Sequence, residues 1–146
     1  MSNYNKATTA VRTGHTPANS QGTRTVPIYQ STAYEFEHTD HAANLFGLRE
    51  FGYIYTRLNN PTNDILEQRL AALEDGLGAV SFASGTSAFA TTILTLCKAG
   101  DHIVSSNSLY GGSYNLLGVT LPRLGIKTTF VDPGDPKNFQ EAIQSN

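Results

Sequence analysis

The sequence lacks several features that would place it in a broad class of proteins. It has a single cysteine, Cys97, and no tryptophan among its 146 residues. An intrachain disulfide is therefore excluded, which is typical of a protein in a reducing compartment. Cys97 lies in an apolar helical pattern, and this favours packing over catalysis. The polar start, Met1 to Lys6, lacks the apolar centre of a signal peptide, and no apolar run reaches membrane-spanning length. We therefore expect a cytoplasmic protein.

Charge and histidine patterns argue against two further classes, nucleic-acid-binding proteins and metalloproteins. Ten basic residues face twelve acidic ones, for a net charge of −2, and no basic run or patch is present. The four histidines show no zinc-motif spacing. His38 and His41 form an i,i+3 pair, but no cysteine or carboxylate at a motif position completes a zinc signature. The sequence therefore predicts neither a nucleic-acid partner nor a metal site.

One short segment, Tyr55-Thr56-Arg57, has two side chains suited to a phosphate. Residues i and i+2 of an extended backbone point to the same side, so Tyr55 and Arg57 are expected to face one spot. A guanidinium matches two phosphate oxygens, and a phenol hydroxyl can donate a third bond. By itself the pair is also typical of a surface arginine beside a half-buried tyrosine. A second phosphate-compatible element is needed to favour a site.

That second element is Ser84-Gly85-Thr86. The apolar run Ala79–Ala83 predicts a buried strand, and a helical pattern begins near Thr86. Free backbone N–H groups and the helix dipole make a helix start attractive to anions, and Gly85 lets the backbone come close to a ligand. An ordinary strand-turn-helix junction with a serine cap has the same pattern.

Tyr110 is the third element, on a loop of small residues after the predicted strand His102–Val104. Ligands bind at the carboxyl ends of strands in open α/β sheets. A tyrosine there can stack on a flat aromatic ligand and still offer its hydroxyl. The alternative is a turn with a packed ring.

Strand and helix patterns alternate after Gly78, which predicts an α/β domain with a mainly parallel sheet. Pro122 is expected to kink or end its helix early. The predicted elements are Ala79–Ala83, Thr86–Lys98, His102–Ser105, Ser113–Leu124, Ile126–Val131 and Asn138–Gln144.

Before Gly76 the sequence shows no such alternation. Residues Met1–Gln21 are polar and aperiodic, which predicts an arm, and Val26–Phe36 is expected to be extended. One helix is predicted from a cap at Thr39 or Asp40 to about Glu50, and another from Pro61 to a cap at Gly76. The sequence thus predicts two regions, an arm with helices over 1–76 and the first part of an α/β domain over 77–146.

These motifs together resemble a known family. In order along the chain they are Val26-Pro27-Ile28-Tyr29-Gln30-Ser31-Thr32, Tyr55-Thr56-Arg57 with Asn60-Pro61-Thr62, Ser84-Gly85-Thr86 and Leu109-Tyr110-Gly111-Gly112. The series is similar to the Cys/Met-metabolism enzymes that use pyridoxal 5'-phosphate (PLP). Within that family, the stretch from His41 to Gly52 resembles the O-acetylhomoserine sulfhydrylases. The resemblance implies the amino-terminal arm and first half of a fold-type I PLP-dependent transferase domain.

The resemblance also implies roles for individual residues. Tyr55 and Arg57 would bind the PLP phosphate of a neighbouring identical subunit, in a homotetramer. Gly85 and Thr86 would donate backbone N–H groups to the phosphate in their own subunit. Tyr110 would stack on the pyridine ring and help to move protons. The reaction implied is replacement of the γ-acetoxy group of O-acetylhomoserine by sulfide or a thiol, which gives homocysteine or methionine.

A lysine with the expected context is missing. PLP catalysis needs a lysine that holds the cofactor as a Schiff base. Lys6, Lys98, Lys127 and Lys137 all lack the Ser/Thr-rich context of the family, in which that lysine lies downstream of the equivalent of Asn146. We therefore expect an amino-terminal part of the enzyme, with a carboxy-terminal remainder as partner, and no activity from this part alone.

Three alternatives stay open at this point. One is a cystathionine γ-synthase or a γ-lyase of the same family. Another is a catalytically inactive fragment that binds a partner chain through its arm. The third is a nucleotide-binding α/β module, although the sequence has neither a Walker loop nor a Gly-x-Gly-x-x-Gly fingerprint.

Overall fold

The structure, a computed structural model, describes residues 4–144 except for the side chain at position 19. The chain divides after Ser81 into two compact units. The sequence predicts the change of organisation slightly earlier, near Gly76. The assignment of separate roles to 1–76 and 77–146 stays a prediction.

The first unit begins with a helix that the sequence does not predict. Helix α1, Lys6–Arg12, and a 3₁₀ turn, Pro17–Ser20, lie inside the segment expected to be an aperiodic arm. The Asn5 side chain caps α1 by accepting from the Thr8 N–H at 2.9 Å. A helix this short is unstable alone, but α1 packs against the later helix α3, Pro61–Leu73. The aperiodic pattern therefore missed a helix that a contact distant in sequence stabilises, whereas the role of this segment as an arm stays a prediction.

Helix α2, Thr39–Phe46, is also capped and ended differently from the prediction. Its cap is His38, whose ring Nδ1 accepts from the His41 N–H at 3.0 Å, instead of Thr39 or Asp40. The helix stops before Glu50 because Leu48 takes a left-handed φ of 54°. The following Arg49 N–H then donates back to the Asn44 carbonyl at 2.9 Å, which satisfies the helix end.

Helix α3 has the predicted start, with Asn60 as cap and Pro61 in the first turn. Leu66 and Leu70, one turn apart on this helix, are 48% and 45% exposed. The helix ends at Leu73, and the left-handed residue that follows is Asp75 rather than a glycine.

The second unit alternates helices and strands, as the sequence predicts. Its strands β1 and β2 are parallel, with His102 opposite Lys127 and Ser106 opposite Val131. The described elements are α4 (Gly85–Leu96), β1 (His102–Ser106), α5 (Gly111–Asn115), a π-helical segment (Leu116–Thr120), a 3₁₀ segment (Leu121–Leu124), β2 (Lys127–Val131) and α6 (Pro136–Ala142).

The predicted strand Ala79–Ala83 does not form. A strand is defined by its pairing with a neighbour, and the sheet within residues 4–144 consists of β1 and β2. Val80 is 74% exposed and Phe82 41% exposed, so these two apolar side chains of the run lie uncovered in the part of the chain described.

The core of the second unit lies between α4 and the segment around Pro122. It consists of Ile93, Leu117, Leu121 and Ile126, and Cys97 packs against it, as expected for a structural cysteine. Because proline has no N–H to donate, the helical path changes from π to 3₁₀ geometry around Pro122. In the part of the chain described, no helix is long and apolar enough to span a membrane.

Candidate functional site

The segment that carries Tyr55 and Arg57 is tied to the chain around Ala33. Tyr55 forms an isolated antiparallel bridge with Ala33. On one side of this bridge the Tyr34 N–H donates to the Ile54 carbonyl at 3.2 Å, and on the other the Thr56 N–H donates to the Thr32 carbonyl at 2.9 Å. These bonds hold the backbone extended up to Tyr55. Thr56, Arg57 and Leu58 then form a turn, in which the Leu58 N–H donates to the Tyr55 carbonyl at 2.8 Å. The extended backbone expected from Tyr55 to Arg57 is therefore wrong, because the chain turns here before it enters the next helix.

Tyr55 and Arg57 lie together on the exposed side. The guanidinium carbon of Arg57 is 5.5 Å from the centre of the Tyr55 ring, a cation–π distance. Tyr55 is 40% exposed, and Arg57 is exposed as well, whereas Thr56 between them is half-buried. The structure therefore presents a phenol hydroxyl and a guanidinium side by side to the surroundings.

Tyr53 is held in a polar cluster behind this segment. Its hydroxyl donates to Asp64 Oδ2 at 2.9 Å, and Gln68 Nε2 donates to the same oxygen at 2.8 Å. Burial, and next the hydrogen bond to Asp64, raises the pKa of Tyr53 to about 12. Tyr53 therefore stays protonated near neutral pH and acts as a structural donor.

Gly85 and Thr86 occupy the first two positions of α4. The cap residue Ser84 accepts from the Ser87 N–H at 3.1 Å, and the Ser87 hydroxyl lies 3.1 Å from the Ser84 N–H in return. The N–H groups of Gly85 and Thr86 stay outside this capping box and precede the first intrahelical bond. A Cβ built at Gly85 would meet nothing within 4 Å. The helix start thus offers two donors beside open space.

Tyr110 follows the carboxyl end of β1 and is the cap residue of α5. Its side chain is 77% exposed. A Cβ added at Gly112 would lie 2.6 Å from the Tyr110 ring, so the ring lies directly over this glycine. Because glycine has no Cβ, position 112 leaves the space that the ring of Tyr110 occupies.

The predicted site residues fall into two groups. Tyr55 and Arg57 belong to the first unit, and Gly85, Thr86 and Tyr110 belong to the second. Within the second unit α4 contacts α5. The role of all five residues in binding PLP stays a prediction.

Sequence reasoning named Asn60 and Gly112 only as parts of the family motifs and did not predict that they support these side chains. Asn60 is 4% exposed, and an asparagine directly before a helix-starting proline is the signal of a cap. Gly112 could have been found only by its position after the tyrosine, since its close contact with the ring depends on the turn.

The histidine pair is used in local hydrogen bonds. His38 Nδ1 accepts from the His41 N–H, and His41 Nδ1 accepts from the Glu37 N–H at 3.2 Å. Among the residues that the structure describes, no group of three His, Cys, Asp or Glu side chains could hold a metal ion.

Comparison with known proteins gives consistent matches. The sequence profile of the Cys/Met metabolism PLP-dependent enzymes matches residues 7–146. The O-acetyl-L-homoserine sulfhydrylase of Leptospira meyeri is 55% identical over 96% of this chain and 32% of its own length. The homocysteine synthase of Schizosaccharomyces pombe is 51% identical over 95% of this chain and 32% of its own. The L-methionine gamma-lyase of Fusobacterium nucleatum subsp. polymorphum is 43% identical over 98% and 36%.

A solved structure shares the fold. A Campylobacter jejuni protein described as an O-acetylhomoserine (thiol)-lyase superposes with a TM-score of 0.93 and 41% identity, over 97% of this chain and 35% of its own. Its crystal structure contains N'-pyridoxyl-lysine-5'-monophosphate. The chain spans about a third of the length of the curated relatives described above. Since the family profile covers nearly the whole sequence, this chain belongs to the Cys/Met metabolism PLP-dependent enzymes.

Proposed function

We propose that this chain is the amino-terminal part of a PLP-dependent O-acetylhomoserine sulfhydrylase. The observation that carries the proposal is the high identity to the Leptospira meyeri sulfhydrylase along nearly all of the chain. The complete enzyme would replace the γ-acetoxy group of O-acetylhomoserine with sulfide or a thiol. On the basis of the family resemblance, the proposed enzyme is a homotetramer. The single cysteine supports a cytoplasmic location for it.

The donors at the start of α4 fit the phosphate of PLP. PLP, when bound, supplies an electron sink for the reaction. The N–H groups of Gly85 and Thr86 would hold its phosphate, because they lack intrahelical partners and point out of the positive end of a helix. The open space above Gly85 leaves room for the phosphate oxygens.

Tyr110 fits the flat ring of the cofactor. Its own ring is largely exposed and lies over Gly112, so one face is covered by backbone and the other is free to stack. In the proposed enzyme Tyr110 orients the cofactor ring and holds or releases a proton at its phenol oxygen.

Tyr55 and Arg57 would supply the remaining phosphate donors, to the site of a neighbouring subunit. The guanidinium provides a planar fork of donors, and the phenol adds one more. Their exposure and their contact with each other support this use. Each complete site would then contain two groups of residues from this region, one from each subunit.

The activity itself can be tested against the γ-lyase alternative, which the likeness to the Fusobacterium nucleatum enzyme supports. The complete enzyme, loaded with PLP, is given either O-acetylhomoserine with sulfide or methionine alone. We expect homocysteine from the first mixture to form faster than α-keto acid and methanethiol from the second. Faster elimination from methionine would establish the γ-lyase instead.

The chain of 146 residues is assayed beside the complete enzyme and is expected to show no turnover. Lys98 follows the carboxyl end of α4, at the opposite end of this helix from Gly85. Lys127 is the first residue of β2, at the opposite end of this strand from the edge of the sheet near Tyr110. Turnover by the purified chain without a second polypeptide would contradict this part of the proposal.

Removing the Arg57 guanidinium is expected to weaken PLP binding by the complete enzyme. A charge-assisted hydrogen bond contributes about 1.5–3 kcal/mol, so Arg57→Ala should raise the PLP dissociation constant about tenfold or more. The measurement is equilibrium titration of the apoenzyme with PLP.

Arg49→Ala is the matched control for this titration. Arg49 is an exposed arginine of the same unit that follows α2, and its loss should leave the dissociation constant nearly unchanged. Equal losses of affinity in the two variants would remove the phosphate assignment of Arg57.

A further inference from the structure

Thr56, the residue between the two proposed phosphate ligands, faces the opposite way from them. It is half-buried, whereas Tyr55 and Arg57 are exposed. Its hydroxyl donates a hydrogen bond to the Ser31 carbonyl, and its N–H donates to the neighbouring Thr32 carbonyl at 2.9 Å. Both polar groups of this residue are thus fixed to the same stretch of chain.

Asn60 extends this attachment into the start of α3. Its Oδ1 accepts from the Thr62 N–H at 2.8 Å and caps the helix. Its Nδ2 lies 3.1 Å from the Thr56 hydroxyl oxygen, 2.9 Å from the Tyr29 carbonyl and 3.1 Å from the Tyr34 hydroxyl. Since Asn60 is almost completely buried, these partners replace water for its whole amide.

The orientation of the exposed pair follows from these inward bonds. The Thr56 hydroxyl accepts a hydrogen bond from Asn60 and donates one to the Ser31 carbonyl. Its donor and an acceptor are therefore both occupied by groups of the protein. With Thr56 fixed inward at the start of the turn, Tyr55 and Arg57 are both exposed, and the Arg57 guanidinium carbon lies 5.5 Å from the centre of the Tyr55 ring. A networked hydroxyl in a partly buried place also restricts rotation of the backbone more than one isolated bond does.

We propose that Thr56, held by Asn60, is a positioning residue that presents Arg57, beside Tyr55, to the phosphate. This inference rests on the proposed function, because it assumes that the exposed pair binds PLP. Thr56 makes no contact with the cofactor in this proposal. It acts by reducing the number of orientations that Arg57 samples, which lowers the entropy lost on binding.

A double-mutant cycle on PLP affinity tests the proposal in the complete enzyme. Thr56→Val removes the hydroxyl at nearly constant volume, and it is measured in the wild-type background and in Arg57→Ala. We expect Thr56→Val to raise the PLP dissociation constant about fivefold in the wild-type background and to have almost no effect once Arg57 is absent. Thr56→Ser, which keeps the hydroxyl, should restore wild-type affinity.

Controls separate positioning from general stability. Thr95→Val removes a hydroxyl that donates only to its own helix, to the Thr91 carbonyl at 2.7 Å, and should leave PLP affinity unchanged. If Thr56→Val does not fold, Thr56→Ala goes through the same cycle. An equal loss of affinity with and without Arg57 would show a merely structural role and overturn the inference. If Arg57→Ala alone leaves affinity unchanged, the proposed function of the pair fails instead.

Discussion

Coexpression of two inactive variants of the complete enzyme is expected to restore activity. One variant carries Arg57→Ala together with Tyr55→Phe, and the other lacks the lysine that holds PLP in the carboxy-terminal remainder. If the arm of one subunit completes the site of its neighbour, a mixed dimer has one site with both an intact lysine and an intact arm. Its other site lacks both.

The expected recovery in the coexpressed mixture is about a quarter of the wild-type activity, since random pairing makes half of the dimers mixed and each has one competent site. In the isolated mixed dimers it is about half. The assay is run at limiting PLP, where each variant alone is inactive. Two different affinity tags isolate the mixed oligomers. If these mixed oligomers stay as inactive as either parent, the site is built within one chain and the proposed arrangement is wrong.

The second large effect expected is on stability. Leu121→Ala should lower the free energy of unfolding by about 2–5 kcal/mol, because it leaves a cavity in a packed core. The side chain is 0% exposed and lies among Ile93, Leu117 and Ile126. The measurement is urea unfolding of the complete enzyme, followed by circular dichroism.

Leu124→Ala is the control for this measurement. Leu124 belongs to the same 3₁₀ segment, and Leu124→Ala removes the same atoms as Leu121→Ala. The Leu124 side chain, however, is 50% exposed. The substitution should cost about 1 kcal/mol or less. Similar losses at the two positions would mean that the cluster around Leu121 is not the stabilising core. If Leu121→Ala fails to accumulate, Leu121→Val makes the smaller cavity and preserves the comparison.

The sequence determined the family, the alternation of helices and strands after Gly85, and the parallel sheet. It did so because these features depend on local signals: apolar periods, the serine cap at Ser84, and the proline that starts α3. The candidate residues Tyr55, Arg57, Gly85, Thr86 and Tyr110 were also available from motifs alone. Gly85 and Thr86 stand at a helix start and Tyr110 follows the end of a strand, which are positions that local sequence patterns indicate.

Only the tertiary structure decided the features that depend on contacts between distant residues. Helix α1 forms in a polar segment because α3 lies against it, and Ala79–Ala83 stays out of the sheet because no strand in the described chain pairs with it. One inward bond of Thr56 joins it to Ser31, 25 residues earlier in the chain. A motif shows which side chains can bind a phosphate, whereas the hydrogen bonds behind them decide where those side chains point.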